Sequence, residues 1–218
     1  MHIDAEYSAA GRLSDGTAVR LRLLRPTDRD ALVAGFRLLS PESRYRRFFT
    51  PTPRLSQEML RRLIDTDNEN HLAIVAERMD GDAPSGEGLG IARFIRLAEA
   101  PDTAEAAIVV LDSVQRRGLG RLLLLALVDA ARERGIRKFR THVQADNEPA
   151  QRLLHDLEPH AKAHVEDGLR VFELPLPEAA AVVEPKDPLY RFLRFAAEGV
   201  VMIVKSLSPA RRAKRRPR

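Results

Sequence analysis

The sequence predicts an α/β protein: a mixed sheet, antiparallel in its middle and parallel across one long helix, flanked by helices and extended by an appended C-terminal helix. Three observations predict it. Apolar runs of strand length alternate with longer runs of helical spacing, in the order strands, helices, three strands, helix, strand, helix, two strands. Ser14-Asp15-Gly16 and Glu166-Asp167-Gly168 are hairpin signals near the two ends. Between a strand ending at Leu111 and a helix from Leu119 to Arg134 lies a glycine turn, as in a crossover between parallel strands.

The elements follow in order. Arg12-Leu13 and Thr17 to Leu24 are strands around the first turn. Pro26-Thr27-Asp28 opens a helix, with Thr27 as the expected N-cap. Ser40-Pro41-Glu42 opens a short second helix, with Pro41 at its first position. Ser56-Gln57-Glu58 opens a third, to about Ile64. His71 to Glu77 is an apolar strand, Asp80 to Glu87 a turn-rich loop, and Leu89 to Leu97 an alternating strand. Thr103 to Leu111 is the strand before the glycine turn, and Arg137 to Gln144 the one after the long helix. Asp146-Asn147-Glu148-Pro149 opens a helix to about Leu157; Ala161 to Val165 and Leu169 to Leu174 close the fold as a hairpin.

The expected organisation is a main folded domain over 10–175, a Pro/Ala linker over 176–188, an amphipathic helix over 189–207 and a basic tail over 208–218. Residues 205–218 hold seven Lys or Arg and no acid, which leaves 29 basic and 31 acidic residues in the rest of the chain. The net charge of +5 therefore belongs to the tail, not to the folded body. Two readings of the helix and tail stand. One is a peripheral anchor on an anionic membrane face or on nucleic acid. The other, which we favour, is a helix docked on the domain or a dimer mate with a solvated tail. The tail has no aromatic residues between its charges, which argues against nucleic acid as a partner.

Composition excludes several chemistries. With no cysteine there is no disulfide, thiolate nucleophile or cysteine-bound metal. The six histidines form no H-E-x-x-H pair, so no metal site is expected. His142 and His155 are read as packing or surface residues, and Asp112 as a strand end or cap. Met1 to Ala10 has no apolar stretch of a secretory signal, and no uncharged apolar run spans a bilayer. The expected location is the cytoplasm, with peripheral contact to the inner membrane face as the anchor reading would have it.

The most informative stretch is Gln115-Arg116-Arg117-Gly118-Leu119-Gly120, which opens the long helix. A glycine turn at a helix start leaves backbone N–H groups unpaired, and the helix dipole adds partial positive charge. This is an anion site shaped for phosphate. Glycines at 118 and 120 let a bulky phosphate approach the main chain. Arg116, Arg117 and Arg121 add charge around it. The spacing lacks the third glycine of a dinucleotide loop and the Gly-Lys-Ser/Thr of a nucleotide-triphosphate loop.

The Q-x-x-G-x-G order after a strand resembles the pyrophosphate-binding turn of the GNAT superfamily of N-acetyltransferases. The resemblance runs from about residue 10 to residue 175 and implies the GNAT fold. Arg22 to Asp28, Leu39 to Phe49 and Ala104 to Val110 are similar to the acetyltransferase domain of bacterial protein-lysine acetyltransferases. The resemblance implies acetyl-CoA as co-substrate, with the turn (Gln115 to Arg121) on its pyrophosphate. Ile108, Val109 and Val110 would offer backbone groups to the pantetheine arm, as a sheet edge takes an added strand, and N–H groups to the thioester oxygen. Asn147 would add side-chain donors and an acceptor.

Transfer to an amine also needs a base, since only about one lysine in a thousand is neutral near pH 7.4. Glu105 is the candidate, at the place where the resembling subgroup has its base. Arg44, Tyr45 and Arg46 lie in a segment that would line the acceptor cleft or simply form a helix face above Phe48 and Phe49. Two positions depart from the family. Leu154 stands where many members have a tyrosine acid, and Glu158-Pro159 replaces a Gly-Phe pair at the helix end. The acceptor is expected to be a protein lysine. The alternatives are a small-molecule amine, or a non-catalytic acyl-CoA-binding module carrying the C-terminal helix.

Overall fold

Eight strands form a single sheet in the order β1-β2-β3-β4-β5-β6-β8-β7 in the computed structural model, which describes residues 2–177. The helix over 189–207, the tail over 208–218 and all but the first two residues of the linker lie outside the described residues. The strands are β1 Ser8–Arg12, β2 Ala18–Leu23, β3 His71–Asp80, β4 Ala83–Leu97, β5 Ala100–Val110, β6 Lys138–Gln144, β7 Lys162–Glu166 and β8 Leu169–Pro175. The helices are α1 Arg29–Leu38, α2 Pro41–Phe48, α3 Gln57–Ile64, α4 Leu119–Glu133 and α5 Glu148–Leu157. Every pairing is antiparallel except β5 with β6, which the α4 crossover makes parallel.

Strand alternation sorts the sheet into two faces. Leu72, Ile74 and Ala76 of β3, Ala92 and Phe94 of β4, and Ala104 and Ala106 of β5 face α4 and share its core. Leu123 and Leu127 on α4 are fully buried there; truncating either to alanine costs about 2–5 kcal/mol. The opposite face of β3 and β4, with Ala73, Val75 and Ile91, packs on Leu32 of α1 and Ile64 of α3. This second face carries the chemistry described below.

Several expected boundaries move. The first strand is Ser8–Arg12, ahead of the expected Arg12-Leu13, and pairs in full with β2. Thr27 does not cap a helix. Pro26–Asp28 is a 3-10 turn, and α1 starts after Asp28. The Asp28 carboxylate accepts the Arg25 N–H at 2.8 Å and two N–H groups of Arg22 at 2.7 and 2.9 Å. The expected loop Asp80 to Glu87 is instead a hairpin, with Asp80 paired to Ala83 across Gly81 (φ 61°). Its strands project with polar side chains exposed on both faces, so no alternation marks them, and Arg78 and Glu87 pair across it at 2.6 Å. Likewise β5 begins at Ala100, three residues before the expected Thr103.

Candidate active site

Strands β5 and β6 part company at Glu105. They pair only through Thr103, Ala104 and Glu105, against Lys138, Phe139 and Arg140. Beyond that point β5 continues with β4 alone to Val110, and β6 with β8 alone to Gln144. One edge of Ala106 to Val110 is therefore left without a strand partner among the described residues. Unpaired strand edges accept an added extended segment. A cleft of about 310 Å³ opens there, lined by Ile108, Val109 and Val110, the glycine turn, and Asn147, Ala150 and Leu153 of the α5 start. An outward extension of about 880 Å³ runs between Arg116, Arg46 and Arg152.

The turn has the geometry of an anion site. Arg116 (φ 59°) and Gly118 (φ 90°) are both left-handed, an arrangement that turns successive N–H groups to one side. The left-handed form costs a non-glycine residue about 1–2 kcal/mol, a strain that Arg116 carries at this site. Gly118 is the N-cap of α4 and supplies no side-chain cap. The first intrahelical N–H is that of Leu122, bonded to the Gly118 carbonyl at 3.1 Å. The N–H groups of Leu119, Gly120 and Arg121 thus remain for an anion. A Cβ on Gly120 would sit 3.5 Å from Leu153, across the cleft.

Most of the expected residues meet here, in differing roles. Arg116 and Arg121 line the cleft. Arg117 does not: its guanidinium pairs with Asp15 of the first hairpin, and its carbonyl accepts the Ser14 N–H at 3.1 Å. Leu119 is buried beneath the sheet, so only its N–H faces the site. Gln115 donates through Nε2 to the Val110 carbonyl at 3.1 Å and to Ser43 Oγ at 3.3 Å, so it ties the turn to β5 and α2. Asn147 caps α5, its Oδ1 accepting the Ala150 N–H at 3.3 Å, and its Nδ2 has no partner among the described residues.

Of α2, the sequence reading singled out Arg44, Tyr45 and Arg46, for the acceptor cleft or a plain helix face, and missed Ser43 and Arg47. Ser43, Arg46 and Arg47 line the same cleft. Arg46 pairs with Glu42 at 2.5 Å, yet its Nε is buried without a partner among the described residues. Asp112 fastens α2 in place, accepting the Ser40 N–H at 2.9 Å and the hydroxyls of Ser40 and Ser43 at 2.8 Å each. Burial opposes ionisation of Asp112, but these hydrogen bonds prevail and hold its pKa below the usual carboxylate value. Asp112, expected to end or cap its strand, instead ties that strand end to the start of α2. Ser40-Pro41 marks the start of the helix in the sequence but not what the helix covers.

Glu105 stands on the face opposite α4, its side chain about half exposed, directly across from Ile95 of β4. His142 of β6 lies beside it, Nδ1 to Oε1 3.8 Å. A packing or surface histidine was expected; the parallel pairing of Glu105 with Arg140 brings His142 to that place. Leu154, at the position of the family's tyrosine, is buried in the core and offers no proton. Among the described residues no cluster of His, Asp and Glu would hold a metal, and no helix is long and apolar enough to cross a membrane.

A splayed parallel strand pair, a bare helix start facing the gap and a carboxylate at the fork define the scaffold of an acyl-CoA-dependent transferase. The comparisons agree. The model of the acetyltransferase (GNAT) family matches residues 37–157, and the chain belongs to that family. The chain is 33% identical over 128 residues to acetyltransferase PA5475 of Pseudomonas aeruginosa, covering 58% of this chain and 67% of that one. It is 29% identical over 134 residues to acetyltransferase Pat of Mycolicibacterium smegmatis, covering 62% of this chain but 39% of that one. Among solved structures, the GNAT domain of S. lividans PAT superposes with a TM-score of 0.71 at 31% identity, covering 80% of this chain and all of that one. The protein yncA of Salmonella typhimurium, solved with its cofactor acetyl-CoA, shares the fold at a TM-score of 0.55 and 22% identity over 75% of this chain and 96% of that one. The protein is an acetyltransferase, and acetyl-CoA is its co-substrate.

Proposed function

We propose that the chain acetylates a lysine side chain of a protein, by direct attack of the amine on the thioester. The exposure of Glu105 at the fork of β5 and β6 carries this reading: its carboxylate is half open to solvent beside the edge of β5. A lysine on a long stem can reach such a place from a protein surface. The relatives named Pat and PAT support the same subgroup.

In the proposed mechanism the glycine turn holds the pyrophosphate, and the pantetheine arm adds to the free edge of Ala106 to Val110. A β5 N–H meets the thioester oxygen. Glu105 takes the amine proton, directly or through water. The tetrahedral adduct collapses with loss of the coenzyme A thiolate, which water protonates; the chain has no cysteine to carry an acyl intermediate.

The test is transfer from acetyl-CoA to a panel of lysine-bearing proteins, read by mass spectrometry, with small amines alongside and Glu105→Gln as control. Acetyl-lysine that vanishes in the variant, while coenzyme A still binds, supports the reading. Turnover confined to small amines overturns the choice of acceptor.

A further inference from the structure

A second cavity, of about 120 Å³, lies on the acceptor face between α1, α2 and the sheet. Its walls are mainly apolar, among them Leu32, Phe36, Leu55 and Ile91. Arg47 and Val109 line both this cavity and the cofactor cleft, so the two meet where the thioester would lie.

The charges at its two ends differ. At one end Arg22 is held by Asp28 and Glu77, and Arg20 by Glu77, so that cluster neutralises itself. At the other end stand Arg93, which is 5% exposed, and Arg47. Neither guanidinium has a carboxylate within 4 Å among the described residues. Arg93 donates to the Leu63 carbonyl and to His71 Nε2, both at 3.1 Å. These partners are uncharged; an imidazole that accepts a hydrogen bond from arginine is neutral. Arg47 lies over the Phe48 ring, 5.0 Å from its centroid. Burial and the other cation push the pKa of Arg93 down, as burial does that of Arg47, though Glu105 partly offsets it for Arg47. Buried cations are ordinarily matched by an anion, because desolvating them alone is costly.

The geometry points to Arg47 and Arg93 as a subsite for a carboxylate on an apolar stem, carried by the acceptor whose amine faces Glu105. Along β4 and β5, Arg93 pairs with Ala107 and Ile95 with Glu105, so Arg93 and Glu105 are diagonal neighbours on one face. An acceptor with an amine at one end and a carboxylate at the other meets complementary charges at both. The carboxylate comes either from a free amino acid or from an Asp or Glu beside a target lysine. The amine's placement rests on the proposed transferase reading; carboxylate binding does not.

The test has a binding arm and a kinetic arm, both on the full chain. By calorimetry, pentanoate binds and uncharged pentanamide binds at least about tenfold more weakly. Arg47→Gln and Arg93→Gln each weaken pentanoate by about tenfold or more. Arg93→Lys, which keeps the charge, serves if Arg93→Gln does not fold. Equal binding of acid and amide, or pentanoate binding indifferent to both variants, overturns the subsite. In the kinetic arm, a lower KM for a peptide with Glu rather than Gln beside its lysine assigns the carboxylate to the polypeptide. A lower KM for lysine than for lysinamide assigns it to a free amino acid, and no preference in either pair overturns the proposal. Arginine-dependent pentanoate binding without transfer to any lysine-bearing acceptor would sustain the subsite and sink the proposed lysine acetylation.

Discussion

Glu105 and His142 face each other from neighbouring strands, 3.8 Å apart, at the point where those strands separate. The pair joins an acid to an imidazole at the entrance of the gap that would hold the thioester. Glu105→Gln should lower kcat by about 10²–10⁴-fold, the usual worth of a positioned base, and leave coenzyme A affinity unchanged. His142→Gln should lower kcat by less, because it touches the carboxylate rather than the amine. Stopped-time assays with calorimetry on both variants check this. Equal kcat in wild type and Glu105→Gln would remove the base from the scheme.

The ties between α2 and the glycine turn predict an effect on cofactor binding. Asp112 holds Ser40 and Ser43, and Gln115 reaches Ser43 and the end of β5. Asp112→Ala frees the start of α2, which carries Arg46 and Arg47 to the cleft. Coenzyme A should bind about tenfold more weakly, while pantetheine, which lacks the phosphates and the adenosine, should lose less, since it does not reach Arg46. A loss shared equally by coenzyme A and pantetheine would show that the tie acts on the β5 edge instead.

The glycine turn was legible because its chemistry is local: backbone freedom at Gly118 and a helical repeat starting at Leu119 both show in neighbouring residues. The sheet order was legible in outline for the same reason. The fork was not, since lateral pairing of β5 with β6 depends on where two distant strands diverge. Nor could Arg117 be told from Arg116 and Arg121; only the fold brings Asp15 to it. Arg93 did leave a signal. In Ile91-Ala92-Arg93-Phe94-Ile95 it shares the parity of two isoleucines, so a charge stood at a position patterned for burial. The missing ingredient was the cavity beside it.

Two glycines separate backbone conformation from space. Gly118 has φ 90° and open surroundings, so Gly118→Ala strains the turn without a clash. It should cost about 1 kcal/mol of stability and a larger share of coenzyme A affinity, because the N–H groups at the α4 start would turn away. Gly90 on β4 is crowded instead: an added Cβ would lie 2.9 Å from the Val109 carbonyl oxygen and 3.1 Å from Leu123. Gly90→Ala should therefore lower stability and displace β5 along the edge proposed to take the pantetheine arm. Urea unfolding and coenzyme A titration of both variants separate the cases. If Gly118→Ala bound coenzyme A as wild type does, the turn would not be the phosphate site.

Tyr7 gives a prediction at high pH. Its ring is buried against the α4 side of the fold, and burial first, then the negative charges of Asp129 and Glu133, pushes its phenol up to about 12. The unfolded chain ionises tyrosine near 10, so between about 10 and 12 the native state holds a proton that the unfolded state has released. The stability contributed is fully present below about 10 and lost as pH rises through about 12. Phenolate absorbance should show one of the three tyrosines titrating late, and the urea midpoint should fall over the same interval. Tyr7→Phe should remove both the late component and that part of the pH dependence. Absorbance in which Tyr7→Phe removes no late component would show that Tyr7 is reached by water and that the N-terminal segment does not seal against α4.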